Sequence, residues 1–235
     1  NLQYKNDKNK LQVTFNILDR KKDGFSSPSN PNTPNYSGPG DDSFYPGKTI
    51  NFDAQKVWDR MGKHSVVAGI NWKKESFEQK RRELTNWRNH SSFDSTTYPG
   101  GLYEINKGAT NNLALFVQDT YRPNFNWAIY TGLRIDRFKK FDGQHVTYDT
   151  TNNRYDTVNH GEGSYTEWSP RLAIEHYVTD SLNVYASYGH SFNPPPLSQV
   201  YRYTDVVRAN PNLDPERSDT CLLYTSPSPR DYAAS

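Results

Sequence analysis

Cysteine is almost missing from this chain of 235 residues: there is one, Cys221, and it lies near the C-terminal end. A disulfide framework is therefore excluded, and neither zinc nor thiol chemistry has a ligand set. Long apolar runs are missing as well. No stretch approaches the ~20 apolar residues that a spanning helix needs, which excludes an α-helical membrane protein. A barrel stays open, because its strands need only ~9–11 alternating residues each. An excess of one charge is also lacking, since 28 Lys and Arg face 26 Asp and Glu for a net charge of +2. Basic residues are scattered apart from Lys73-Lys74 and Lys80-Arg81-Arg82. That is not the concentrated basic face of a nucleic-acid binder, so no nucleic-acid partner is expected. Gly-rich phosphate loops, nucleophile elbows and paired-histidine zinc motifs do not occur. Glu75, Glu78 and Glu83 beside Lys80–Arg82 read as a strand end of mixed charge. The expectation is a protein that is not an enzyme, with no catalytic residue, no metal site and no resident cofactor.

What is present is polarity combined with aromatic rings. Hydrophobic residues make up 33% and aromatics 14%, with 17 Tyr against 5 Trp, and the mean hydropathy is −0.98. A sheet wetted on one face has this composition, because only alternate residues of a membrane barrel touch lipid. The pattern along the chain agrees. Apolar residues alternate with polar ones in Leu11, Val13, Phe15 and Ile17, then in Ile50, Phe52, Ala54 and Trp58, interrupted by Lys56. Val66, Ala68, Ile70 and Trp72 repeat the period, as do Trp127, Ile129, Thr131, Leu133 and Ile135, and Leu182, Val184, Ala186 and Tyr188. Period two places one set of side chains on each face of a strand, and no stretch carries a helical period.

Connections alternate in length. Short turns are expected at Lys8-Asn-Lys10, Arg60-Met-Gly-Lys63, Pro123-Asn-Phe-Asn126 and Thr179-Asp-Ser181, with long loops at 20–47, 85–109, 142–165 and 194–216. The first long loop, Ser26 to Gly40, is rich in Pro, Asn, Ser and Gly, which resist regular structure. Hairpins tied closely on one side of a membrane and displayed on the other produce this alternation. A soluble β-sandwich would not set its longest loops at every second connection. Trp58 and Trp127 fall beside short turns, and Trp168 and Tyr188 toward the loop side, where interface girdles need amphipathic rings.

The last residues read differently. The string from Cys221 through Ser226 to Asp231 resembles the in-frame translation of a transposase-based sequencing adaptor, with Tyr232 to Ser235 as an index tag and the start of the flow-cell sequence. Residues 221–235 are therefore expected to be a non-native tail, and residues 1–220 a partial barrel.

Three motifs over residues 110–220 carry a family resemblance. Leu115-Phe116-Val117-Gln118-Asp119 precedes Gly132-Leu133-Arg134-Ile135-Asp136-Arg137. Ser169-Pro170-Arg171-Leu172 leads to Val184-Tyr185-Ala186-Ser187-Tyr188-Gly189-His190-Ser191-Phe192. Asn193 with its three prolines is followed by Asn210-Pro-Asn-Leu213-Asp-Pro215-Glu216. In that order they resemble the barrel domain of a TonB-dependent outer-membrane receptor, in particular a siderophore receptor. Asn193 stands where Arg is usual and Asp214 where Lys is common, and residues 1–109 fit the architecture without a comparable motif. The resemblance implies an all-β, antiparallel transmembrane β-barrel, of which about eight or nine strands of an expected 22 are present. The N-terminal plug, the box that contacts TonB and the last strands have no counterpart here. It also implies a bacterial outer-membrane protein that takes up a ferric siderophore by active transport, with the TonB-ExbB-ExbD system acting through the plug and outer-membrane lipid around the barrel. Iron enters only as part of the chelate. The alternatives are a haem or cobalamin receptor of the same family, a passive porin-like channel, or a soluble β-rich module.

Candidate substrate-binding residues lie in the long loops, where rings interleave with cations: Trp87, Arg88, Tyr98 and Tyr103; Tyr148, Arg154 and Tyr155; Tyr201, Arg202, Tyr203 and Arg208. Rings supply rigid contact area, and the forked Arg donor suits carboxylate or catecholate oxygens. For a haem receptor the resemblance implies a histidine in the segment from Pro194 to Ala209, and none is there, whereas His90, His145 and His160 lie in other loops. Arg134, Asp136, Arg171 and Glu175 share the parity opposite to the apolar residues and are expected on the lumen wall, meeting the plug or one another.

Overall fold

Backbone pairing accounts for nearly all of this chain. The computed structural model describes residues 2–5, 9–26, 38–179, 182–203 and 208–227. Among them are β1 (Leu2–Lys5), β2 (Asn9–Ser26), β3 (Gly40–Met61), β4 (His64–Leu84), β5 (Leu102–Asn124), β6 (Trp127–Asp149), β7 (Arg154–Asn159), β8 (Gly163–Thr179), β9 (Leu182–Asn193) and β10 (Glu216–Pro227). They form one open antiparallel sheet of ten strands in sequence order, with β7 pairing β6 off the main path. The sequence count of eight or nine omits the loop strand β7. One short helix, α1 (Leu197–Tyr201), and a 3-10 turn at Pro99–Gly101 complete the described elements.

Register shows what each face carries. Opposite residues of antiparallel strands share a face, so Val13, Ala54, Ile70, Leu115, Ile135 and Trp168 form one row. The adjacent row holds Phe15, Phe52, Trp72, Leu113, Arg137 and Thr166. These apolar rows are bare: Phe15, Ile17 and Leu115 are each 55% exposed and Trp168 56%. Among the described residues no second layer or helix covers them. In water such a surface would cost about 25 cal/mol per Å²; against hydrocarbon it costs nothing. The band also slides along the ladder. Its loop-side end is Ile17 on β2 but Ile135 on β6, two rows nearer the short turns. Strands tilted to a barrel axis require this stagger.

The opposite face is polar, as the parity of Arg134, Asp136, Arg171 and Glu175 predicts. Arg134 faces Ser169, Asp136 faces Glu167, Arg171 faces Gly132 and Glu175 faces Ala128. All four therefore share it.

Turns at Gly62-Lys63 and Phe125-Asn126 close two hairpins at one end of the sheet. Gly62 takes φ +65°, the left-handed conformation a tight turn asks of glycine. At that end His64 stacks on Tyr121 with centroids 4.5 Å apart, and Trp127 on His176 at 3.8 Å. All four share the face of the apolar band, as an interfacial girdle should. Lys8 of the first expected turn, Asp180 and Ser181 of the last, and residues 27–37 of the first long loop lie outside the described residues.

The long connections are shorter than their sequence suggests. β2 runs on to Ser26 and β3 begins at Gly40, so the ladder covers most of 20–47. β5 begins at Leu102 rather than after 109, and much of 142–165 is the β6–β7 hairpin. Beyond the apolar band neither face of these strands meets lipid. Polar residues then satisfy both sides and the alternation that marks strands is lost, although backbone pairing continues.

Candidate functional site

At the long-connection end the polar face carries a packed cluster, built from the strands upward. β4 contributes Gln79 and Arg81, and β5 contributes Glu104 and Asn106 on the same face. β6 contributes His145, which register places directly opposite Asn106. Arg81 donates to Glu104 at 2.8 Å and lies 3.4 Å from Asp41, while its guanidinium sits 5.0 Å from the Tyr103 ring centroid. Asn106 is fully buried. Its amide donates to Glu104 at 3.1 Å and to the Tyr203 carbonyl at 3.3 Å, and its carbonyl meets Nδ1 of His145 at 2.7 Å.

The connection after β9 folds back onto this floor. The prolines at 194–196 keep it extended, and Pro196 caps α1 at φ −63° and ψ 142°. Val200 and Tyr201 at the end of the helix are buried, with Tyr201 only 1% exposed. The Tyr201 ring lies over Gly108 and Gly143, where an added Cβ would collide with it at either position. A register shift at Lys107/Ala109 opens the wall there, and bulges of this kind re-aim side chains beside sites. Tyr203 follows, its ring centroid 4.2 Å from that of His145 and 5.7 Å from that of His160.

Burial holds the His145 imidazole below its ordinary pKa, although Glu104 at 3.7 Å pulls the other way. His160 is lowered by burial and then by the charge of His145. Its Nε2 is shielded from solvent without a hydrogen-bond partner, as is Nε of Arg202. Burial likewise pushes the Tyr103 phenol far up, with Arg81 opposing.

A second group of rings borders the first. Tyr98 lies 5.5 Å from Tyr103 and 5.9 Å from Tyr148, and Tyr148 lies 4.9 Å from Tyr155, which donates to the Leu102 carbonyl at 2.8 Å. The β6–β7 hairpin places Tyr148 opposite Tyr155. Of the candidate loop residues, Tyr98, Tyr103, Tyr148 and Tyr155 thus form one cluster, and Tyr201 with Tyr203 belongs to the histidine cluster beside it. Arg81 links the two through Tyr103. Trp87 bonds the Gly38 carbonyl at 2.9 Å and carries Arg88 over its ring at 5.3 Å. Arg154 pairs with Asp156 at 3.0 Å on the exposed hairpin, and Arg208 is exposed beside residues that are not described. Sequence alone does not single out Gln79, Arg81, Glu104 and Asn106, whose signal is only that polar residues fill one parity. It also places His145 in a loop, whereas the residue belongs to β6.

Lower on the same face, Arg134 holds Asp136 with two bonds of 2.8 Å, and Asn112 adds a third at 2.8 Å. Arg171 is exposed, and Glu175 accepts from Tyr130, Tyr177 and Asn183. Arg134, Arg171, Gln118 and Asp53 border a depression of about 410 Å³.

The family model described as TonB dependent receptor-like, beta-barrel matches residues 1–220. Among solved structures, the chain is similar to the unliganded ferric citrate transporter FecA, with TM-score 0.63 and 18% identity over 95% of this chain and 30% of that one. It is similar to the ferric yersiniabactin uptake receptor FyuA from Yersinia pestis, with TM-score 0.65 and 15% identity over 95% and 31%. The copper transporter OprC gives TM-score 0.62 and 17% identity over 92% and 33%. The chain therefore spans about a third of the length of these proteins.

Proposed function

Since this chain belongs to the TonB-dependent receptor family through its β-barrel domain, and is thus part of a bacterial outer-membrane receptor, we propose that it forms the wall and part of the ligand site of a ferric-siderophore importer. The observation that carries this reading is the docking of the Leu197–Tyr203 segment on the polar face, where rings, histidines and Arg202 gather at the long-connection end. An anionic ferric chelate needs flat contact area and forked donors around a masked charge. Tyr203, Arg202 and the Tyr98–Tyr103–Tyr148–Tyr155 cluster supply both, while Tyr201 anchors the segment below. Uptake would be driven through TonB-ExbB-ExbD, with a plug meeting Arg134, Asp136, Arg171 and Glu175. The ferric citrate and ferric yersiniabactin receptors among the similar structures support this cargo class. Residues 221–235 take no part in it. Within β10, Leu222 faces the polar side opposite Ser187 and Leu223 the apolar side opposite Ala186, so the alternation expected of a barrel strand fails there.

The convergence of His145 and His160 on Tyr203 favours haem as the second cargo class, because an imidazole can ligate its iron. Radiolabelled-iron uptake by cells producing the complete protein separates the readings. Arg202→Ala with Tyr203→Ala is expected to lower ferric-siderophore binding and uptake, and collapse of the proton gradient to stop uptake alone. Unchanged binding removes these residues from the site. Uptake that survives gradient collapse leaves a passive channel, and loss of growth on haem only identifies haem as the cargo.

A further inference from the structure

The connection after β9 meets the wall at a second place besides the Tyr201 ring. Lys140 lies on β6, on the polar face and opposite Gly163 of β8. Its side chain crosses that glycine, where an added Cβ would come 3.2 Å from Cε. The residue is only 6% exposed. Its ammonium group donates to the Pro211 carbonyl at 2.8 Å and to the Leu213 carbonyl at 3.2 Å. Burying an ammonium group is costly unless it is hydrogen-bonded, and these carbonyls supply the bonds. Burial still lowers its pKa, with the charge of Asp214 opposing. The carbonyls belong to a turn that closes on itself. The Leu213 N–H donates to the Asn210 carbonyl at 3.2 Å, and the Asn212 N–H to Oδ1 of Asn210 at 3.1 Å. The Asn210 N–H donates in turn to the Gln199 carbonyl of α1 at 3.3 Å. One strand therefore carries both feet of the connection, with Gly143 under the Tyr201 ring and Lys140 under the turn, and the bond from Asn210 to Gln199 joins the feet. Arg202, Tyr203 and Arg208 lie between the two feet in sequence.

We propose that Lys140 is a positioning residue for the ligand site, holding the turn at residues 210–213 so that the stretch bearing Arg202, Tyr203 and Arg208 is fixed at both ends. The inference rests on the siderophore reading for the identity of the ligand, but not for the clamp. A stretch fixed at one end presents Arg202 and Tyr203 correctly for only a fraction of the time, and apparent affinity falls by that fraction. Fixing the second end removes this ordering cost before a ligand arrives. An ammonium group suits the task because it offers three donors from one point. It grips two carbonyls of one turn at once, and bonds from a charged donor are stronger than neutral ones. Lys140 is itself covered, so it acts on a ligand only through the residues it fixes.

Lys140→Met in the complete protein tests this, since methionine keeps the length of the side chain and removes its donors. Two measurements are made. Without ligand, hydrogen exchange at residues 210–213 and at Leu197–Tyr203 should accelerate, while the paired parts of β6 and β8 keep the wild-type rate. With a ferric siderophore, Kd should rise about tenfold, the equivalent of one hydrogen bond to a charged group. In a protein that already carries Tyr203→Ala the same substitution should raise Kd by about threefold or less, because part of what it positions is gone. A merely structural role would leave the two effects additive. Unchanged exchange in the turn overturns the proposal, as does a wild-type Kd in Lys140→Met or a tenfold loss that persists in full beside Tyr203→Ala. Should Lys140→Met fail to fold, Asn210→Ala removes the side-chain bond that shapes the turn and is expected to give the same results. A wild-type protein that binds no ferric siderophore contradicts the cargo reading instead, and the exchange result then decides the clamp by itself.

Discussion

The ring of Tyr201 occupies the space that a side chain at Gly108 would fill. A Cβ there would fall among the ring carbons, and one at Gly143 would meet the other edge of the same ring. The two glycines thus form a notch in the barrel wall, and the connection after β9 is fastened by one buried residue set into it. Tyr203, one step past Arg202, owes its position against His145 and His160 to that fastening.

Gly108→Ala should therefore release the loop while leaving the sheet intact. Forcing a methyl group into packed space costs about 1–3 kcal/mol, here concentrated on the docking of Leu197–Tyr203. Limited proteolysis of the complete protein should show faster cleavage between residues 194 and 215, and siderophore affinity should fall. Tyr201→Ala, which empties the notch, should behave likewise. Wild-type cleavage and affinity in both variants would show that the notch does not hold the loop.

Docking should weaken in acid. His145 and His160 are both held below the ordinary imidazole pKa when the segment is docked, so the undocked form takes up protons more readily. The stabilisation is fully present above a pH of about 6.5 and is lost as pH falls through that value toward the lowered one. Hydrogen exchange at Leu197–Tyr201 should accelerate between neutral pH and pH 5 beyond the intrinsic effect of pH on exchange. His145→Gln with His160→Gln should flatten the change. Exchange that slows in acid would have the sign wrong.

Arg81 and Glu104 form a pair with side chains only 13% and 8% exposed. Arg81→Ala leaves the carboxylate buried without its partner, a loss of about 3–5 kcal/mol. Unfolding in urea should shift accordingly, and Arg81→Met combined with Glu104→Leu should recover much of the loss. An Arg81→Ala protein as stable as wild type would mean that water already reaches Glu104.

Much of the sheet was legible because period two survives wherever one face meets lipid. Leu11 to Ile17 and Trp127 to Ile135 name their own strands. Lys21-Lys22-Asp23-Gly24 does not, although it pairs with β3 as regularly as the rest of β2. Once neither face meets lipid, composition no longer separates strand from loop. The site was legible only as an inventory of rings and cations. Tyr148 and Tyr155 flank Asp149–Arg154 symmetrically, and a hairpin there could have been inferred. The match of Tyr201 to Gly108 and Gly143 joins three separate stretches of chain and leaves no local mark. Asn106 and Gln79 read simply as polar residues on the polar parity, and only burial shows that they form the floor.

The receptor wall depends on which side chains meet hydrocarbon, and β5 offers the sharpest reading. Single cysteines at positions 113 to 118 of the complete protein can be probed in native outer membranes with a water-soluble maleimide. Leu113, Leu115 and Val117 should be protected, while Phe116 and Gln118 on the polar face react. Ala114, which is fully buried, should react slowly. Labelling that is uniform along the strand, or strongest at the odd positions, would contradict the membrane-facing band and with it the receptor wall.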